Sequence, residues 1–294
     1  MRARFLLLAL LAGLVPAATG HAQSIPSTSS SKAVAPELPL PILQSLAYVD
    51  IESGRALQLT DGVYEDARRH LRLEPTLYAS GDLDGDSTRD AAVLLEERNK
   101  ASGVTTLHIA AVVQRAFRVR NMASLRLGEH VQVRALAIDN RHATLSLIVM
   151  GEGDDAFRPT LKMTLALKLA GSEWHIMRQE PGGRFKPADL SGTAWKLAAG
   201  NAITAHFAAE PDGTMRLAGR TICARYAATM DETGAIAEVT AFAPDSAKTP
   251  CSAEAHESDR AFLAALAQAR RIEFRFGRLA LAGERGAALA FVRE

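Results

Sequence analysis

The chain has 294 residues, with 34 Lys and Arg against 33 Asp and Glu, a formal net charge of +1. Charge this evenly balanced leaves no basic footprint for nucleic acid, which is expected to be no partner. With 48% apolar and 23% charged residues the chain can bury substantial cores, and its length favours two domains over one.

Residues 1–22 read as a secretory signal: Arg2 and Arg4, an apolar run from Phe5 to Val15, then small residues up to a cleavage point after Ala22. The run is too short for a transmembrane helix, and no later segment is long enough. Cleavage leaves 32 basic residues against 33 acidic ones. The mature protein is expected to be soluble and periplasmic or secreted. No lipid anchor is expected, because both cysteines lie far downstream, at 223 and 251. Residues 23–41, rich in Ser and Pro without apolar period, read as an exposed linker.

Residues 42–180 are expected to form a mainly antiparallel β domain. At its heart lies Gly81–Asp90, "GDLDGDSTRD", running into "AAVLL". Asp82, Asp84, Asp86 and Asp90 occupy positions 1, 3, 5 and 9 of a calcium-loop pattern, a spacing at which hard oxygen ligands can wrap one ion. A complete EF-hand is excluded. Its turn glycine at position 6 is replaced by Ser87 and its bidentate carboxylate at position 12 by Val93. The shortened pattern resembles the acidic loops of FG-GAP-like extracellular repeats, in which such a loop leads into a buried strand. Calcium is the cofactor this reading implies. The alternative is an Asp-rich turn whose side chains satisfy its own backbone amides.

Further along, "VQVRALAI" and "ATLSLIVM" flank a turn at Asp139-Asn140-Arg141, and "TLKMTLALKL" alternates before Gly171-Ser172 turns the chain into "EWHIM". Period-two alternation predicts a sheet with one apolar and one wet face. "GEGDDA", Gly151–Ala156, has dinucleotide-fingerprint spacing, but its three carboxylates would repel a pyrophosphate and a strand follows where a helix is required. "QEPGGRFKPADLSG", Gln179–Gly192, interrupts regular structure with two prolines and several glycines and places a domain boundary there.

Beyond the boundary come "LSGTAWKL", "ITAHFAAEPDGTMRLAG", Cys223 followed by Arg225-Tyr226, Cys251, "RAFLAALAQARRIEF" and "GRLALAGERGAALAFV". Residues 188–294 resemble the META/HslJ domain, a bacterial envelope module associated with heat-shock-inducible proteins. The family's Gly-Cys-Asn-Arg-Tyr motif stands here as Ile222-Cys223-Ala224-Arg225-Tyr226, without the Gly and the Asn. "LTDGVYE" and "LGEHVQV" look like the segment that precedes META domains in some envelope lipoproteins. The resemblance implies an antiparallel sheet curled into an open barrel around one main helix, akin to secretin pilot lipoproteins. The whole chain is then α+β in two domains. Period and caps agree: Phe262, Leu263, Leu266 and Ala269 share a helical face, Ser252 can cap the start, and Arg270-Arg271 suit the end of a helix of about five turns.

Two cysteines in an exported chain, at points where the family also places cysteines, predict a Cys223–Cys251 disulfide. Arg225 and Tyr226 have two readings, a binding edge beside the disulfide or a strand pair with Tyr packed and Arg exposed. Catalytic motifs fail. His256-Glu257 opens a zinc-protease pattern, but Arg260 stands where the second His is required, and no Gly-x-Ser-x-Gly elbow exists. The favoured function is therefore a non-catalytic envelope protein that binds a protein or small ligand in stress tolerance. The rivals are a calcium-dependent adhesion module and a hydrolase using the acidic loop, the last lacking any convergent acid, base and nucleophile.

Overall fold

The structure, a computed structural model, describes residues 37–116, 118–155, 158–199, 202–242, 251–284 and 286–294. The signal read at residues 1–22 and most of the linker at 23–41 lie outside the described residues.

Alternation in the first half produces two antiparallel sheets. One has five strands in chain order: β3 (Val63–Glu65), β4 (Arg69–Gly81), β5 (Asp90–Asn99), β6 (Thr105–Arg115) and β7 (Arg118–Glu129). The other is a four-stranded meander of β8 (Gln132–Asp139), β9 (His142–Val149), β10 (Leu161–Ala170) and β11 (Glu173–Arg184). Their apolar faces meet. Ala92, Leu94, Ile109 and Val113 from the first pack with Leu145, Leu147, Leu167 and Trp174 from the second.

The expectation of one wet face fails for the five-stranded sheet. Ala91, Val93, Leu95, Ala110 and Val112 are buried on its other side beneath Leu38, Leu43, Tyr48, Leu57 and Leu59. That cover comes from a short helix α1 (Leu40–Gln44) and the hairpin of β1 (Ala47–Val49) and β2 (Ala56–Gln58). A strand covered on both sides reads as a continuous apolar run, which is why β5 contains "AAVLL". Residues 37–41, read as the end of a linker, thus belong to the fold, with Leu38 buried.

The break expected at Gln179–Gly192 begins later than the prolines suggest. β11 continues through Pro181 to Arg184, tolerated because β11 is an edge strand and the register slips where Pro181 faces Met163. A 3₁₀ turn at Pro187–Leu190 then leads into the C-terminal sheet.

That sheet has eight antiparallel strands ordered β16-β15-β14-β13-β12-β19-β18-β17 and curls into a half-barrel. The strands are β12 (Ala194–Leu197), β13 (Thr204–Ala209), β14 (Met215–Arg220), β15 (Arg225–Met230), β16 (Ile236–Phe242), β17 (Arg271–Arg275), β18 (Arg278–Gly283) and β19 (Gly286–Arg293). The main helix α2 (Ala253–Ala267) sets Phe262 and Leu266 into the core among Phe207, Leu217, Tyr226 and Phe291. Ser252 caps it, its Oγ accepting from the Ala255 amide at 3.2 Å. The helix is 15 residues, about four turns and not five. Arg270 donates to the carbonyls of Ala267 and Ala269, while Arg271 already belongs to β17 and pairs with Glu273.

The half-barrel is seated on the N-terminal sheets through the β17–β18 turn. Phe276 and Gly277 adopt φ of +49° and +77°, the left-handed pair a two-residue hairpin needs. The Gly277 amide donates to Val133 O at 2.9 Å and Phe276 packs against the N-terminal core. Beside it Gln132 Oε1 accepts from the Phe274 amide, and the Arg134 guanidinium lies 5.0 Å from the Phe274 ring centre and 5.8 Å from that of Phe185.

Candidate functional site

The acidic loop joins β4 to β5, and its carboxylates divide into two groups. One oxygen from each of Asp82, Asp84 and Asp86 lies within 4.8 Å of the others. Asp90 stands apart from them and is fully buried, its two oxygens accepting from the amides of Leu83 at 2.8 Å and Gln114 at 3.0 Å. Asp90 is therefore the anchor that starts β5, and the four-ligand set read from the sequence shrinks to three. Burial pushes its carboxyl up to about 6, against the lowering effect of those two amides.

The three clustered carboxylates also build their own turn. Asp82 accepts from the Gly85 and Ser87 amides, and Asp86 from the amide and hydroxyl of Thr88. Gly85 and Ser87 take left-handed φ of +89° and +67°. Asp84 is held by the Arg115 guanidinium through contacts of 2.7 and 2.6 Å. A cation entering here meets a preformed acidic turn in which one carboxylate already has a positive partner.

In the C-terminal sheet, Cys223 and Cys251 form a disulfide with Cα atoms 6.0 Å apart. Cys223 sits in the turn Thr221–Ala224, which α2 clamps through a residue the sequence reading passed over. Asp259, buried on α2, accepts from the Thr221 hydroxyl at 2.6 Å and from the amides of Ile222 and Cys223, each at 2.9 Å. A carboxylate in the middle of an apolar helical stripe was the available signal.

Arg225 and Tyr226 lie on opposite faces of β15, because successive strand residues alternate. Arg225 is exposed. Tyr226 is buried against Phe262, ring centres 5.2 Å apart, with its hydroxyl donating to Thr204 O. Burial raises its phenol far above the ordinary range. The two therefore form no common binding edge, and Tyr226 is a core residue. Its cross-strand neighbour Gly219 explains the close packing: a Cβ there would lie 1.9 Å from Thr204 O.

Strand parity creates a surface feature that no motif announced. On the face of β14–β16 opposite to Tyr226 and Met230 lies a groove of about 540 Å³, with Ala227 and Thr229 on its floor and Glu210, Asp212, Glu238 and Arg216 around it. A second cleft of about 360 Å³ lies where the half-barrel meets the N-terminal sheets, lined by Gln132, Arg158, Thr160, Arg270 and Glu273 among others. One wall of that cleft is the loop before β10, organised by Asp154. This carboxylate accepts from the Gly151 amide, from the amide and hydroxyl of Thr160, and from Arg184. "GEGDDA" is thus a buried-Asp loop.

A further polar chain runs along the five-stranded sheet from Asp50 to Arg69 at 3.0 Å, to Glu97 at 3.2 Å, and to His108 Nε2 at 3.1 Å. The close approach of His108, opposed by burial and reinforced by Arg69, holds the Glu97 carboxyl below its usual range. The chain fastens the β1–β2 hairpin to β4.

Residues 168–294 match the family model of the META domain. The C-terminal part of this chain is a META domain. The match begins at Lys168 near the end of β10, so it takes in β11 as well as the half-barrel and starts 20 residues before the boundary read at 188. No curated protein and no solved structure matches the chain. Within the META domain the Cys-x-Arg-Tyr remnant has a structural explanation: the Cys closes a disulfide, the Tyr fills the core under α2, and the Arg faces outward. Among the described residues no helix is long and apolar enough to cross a membrane.

Proposed function

We propose that this is an exported, non-catalytic binding protein of the cell envelope, acting in stress tolerance, whose META domain holds a protein segment or small ligand in the groove over β14–β16. The groove carries the reading. Its volume, about 540 Å³, is that of an open surface groove along which a peptide segment or small ligand can lie. Small side chains on the floor let an aliphatic chain or a peptide backbone lie close, while the charged rim fixes orientation. Export is supported by the charged, apolar and small-residue order of the first 22 residues and by a disulfide, which persists in oxidising compartments.

The test compares capture from envelope extracts by the wild type and by Ala227→Trp, which fills the floor from an outward-facing strand position. A partner held by the wild type and lost by the variant supports the reading; equal capture by both removes the groove from it. N-terminal sequencing of the exported protein should begin at Gln23.

Calcium binding at Asp82, Asp84 and Asp86 is a second reading, favoured by the convergence of their oxygens within 4.8 Å. It would stabilise the loop by mass action. Millimolar calcium should then raise the melting temperature of the wild type but not of Asp84→Ala, and an equal response, or none in either, would sink it.

A further inference from the structure

We propose that Cys223 and Cys251, when reduced, form with His256 a three-ligand site for a zinc-like cation, so that the disulfide is the closed state of a redox-gated metal site. The zinc-protease spacing fails for His256 along the helix, but the tertiary structure supplies other ligands. The sulfurs of Cys223 and Cys251 and one ring nitrogen of His256 lie within 4.8 Å of one another. Three ligand atoms around one tetrahedral zinc sit roughly 3.5–4 Å apart, given Zn–S and Zn–N distances of about 2.3 and 2.0 Å. Only small side-chain adjustments separate the two arrangements.

Local structure positions each ligand without help from the sulfur–sulfur bond. Asp259 grips the Cys223 amide and both residues before it, so the turn stays against α2 after reduction. In a metal-bound state Asp259 would be the outer partner that fixes a ligating residue. Cys251 immediately precedes the Ser252 cap, and His256 lies in the first turn, its amide donating to Ser252 O at 3.1 Å. Helical side chains lean toward the N-terminus, which turns the imidazole back toward Cys251.

The chemistry is consistent with this placement. Thiolate is the form of cysteine that ligates a metal. Two thiolates and one imidazole select zinc-like ions over calcium or magnesium, leaving a fourth position for water. Exposure is graded in the same sense: Cys223 is buried, Cys251 half-buried and His256 exposed, so reductant and ion approach from the His256 side. Reduction takes two electrons and two protons from an external dithiol, which departs as its own disulfide. The ion then displaces the two thiol protons to solvent.

The experiment uses the full, tag-free mature protein with cobalt(II) as a spectroscopic stand-in for zinc. After reduction with excess dithiol, removal of the dithiol under anaerobic conditions and addition of cobalt, one equivalent should bind with sulfur-to-cobalt charge-transfer absorption that zinc abolishes. The oxidised protein should lack that absorption. His256→Ala, an exposed position that leaves both sulfurs and the fold in place, should bind at least about tenfold more weakly, as loss of a ligand should cost no less than loss of an outer partner. The proposal is overturned if the reduced wild type shows no charge-transfer band, if the oxidised protein shows the same band, or if His256→Ala binds as tightly. It is equally overturned if reduction abolishes the β-sheet circular dichroism and zinc does not restore it.

Discussion

Asp154 shows how one carboxylate can organise a loop that sequence motifs misdescribe. Burial alone would raise its carboxyl, but hydrogen bonds from the Thr160 hydroxyl, the Gly151 and Thr160 amides and Arg184 outweigh burial and hold it at about 2. The folded value lies below the roughly 3.9 of an unfolded Asp. Its contribution is therefore complete above about pH 4 and is lost as pH falls through 2, an effect of about 2–3 kcal/mol. Because its side chain is fully buried while Arg184 is about half exposed, the backbone bonds carry more of this than the ion pair does. Urea unfolding between pH 7 and 2 should show Asp154→Ala less stable at neutral pH with a flatter acid limb; an acid limb as steep as the wild type's would refute this role. The sequence showed three carboxylates in "GEGDDA" but not which one is inside, since that depends on where Thr160 and Arg184 arrive.

At the scale of elements, helix α2 is held to β14–β15 twice, by the disulfide and by Asp259. The cysteines are 28 residues apart, and in the chain-entropy model closing that loop contributes about 3–4 kcal/mol. Cys223→Ser should lower the unfolding free energy by that order while Asp259 keeps the turn in place. Without prior reduction, neither cysteine should react with an alkylating reagent; labelling of the native protein would contradict the pairing. The start of α2 was legible because Ser252 is a cap followed by helix formers. Its end was less so, since Arg270 can bond the last carbonyls whether or not the helix continues to it. β11 likewise crosses Pro181 because an edge strand has a side that needs no donor, and edge position is a property of the sheet.

For the whole molecule, the β17–β18 hairpin couples the META half-barrel to the N-terminal sheets, with Phe276 in the neighbouring core and Arg134 between Phe185 and Phe274. The two tryptophans report on the two parts: Trp174 lies in the N-terminal core and Trp195 in the half-barrel core. Equilibrium unfolding followed by fluorescence in Trp174→Phe and in Trp195→Phe should give coincident curves after correction for each substitution's own cost. Separated midpoints would show that the junction fails to couple them.

The sequence by itself determined the antiparallel strands, the helix with its cap, the pairing of two cysteines and the likeness to a META domain. Each is written in local periodicity, turn chemistry or a short ordered set of motifs. Tertiary structure alone decided that Asp90 leaves the acidic cluster for a buried anchor, that Tyr226 is core while Arg225 is surface, and that α1 and the β1–β2 hairpin cover a face expected to be wet. It also brought one ring nitrogen of His256 within 4.8 Å of two sulfurs. Those outcomes depend on which faces and residues distant along the chain come together, and burial, charge pairing and ligand geometry exist only once they do.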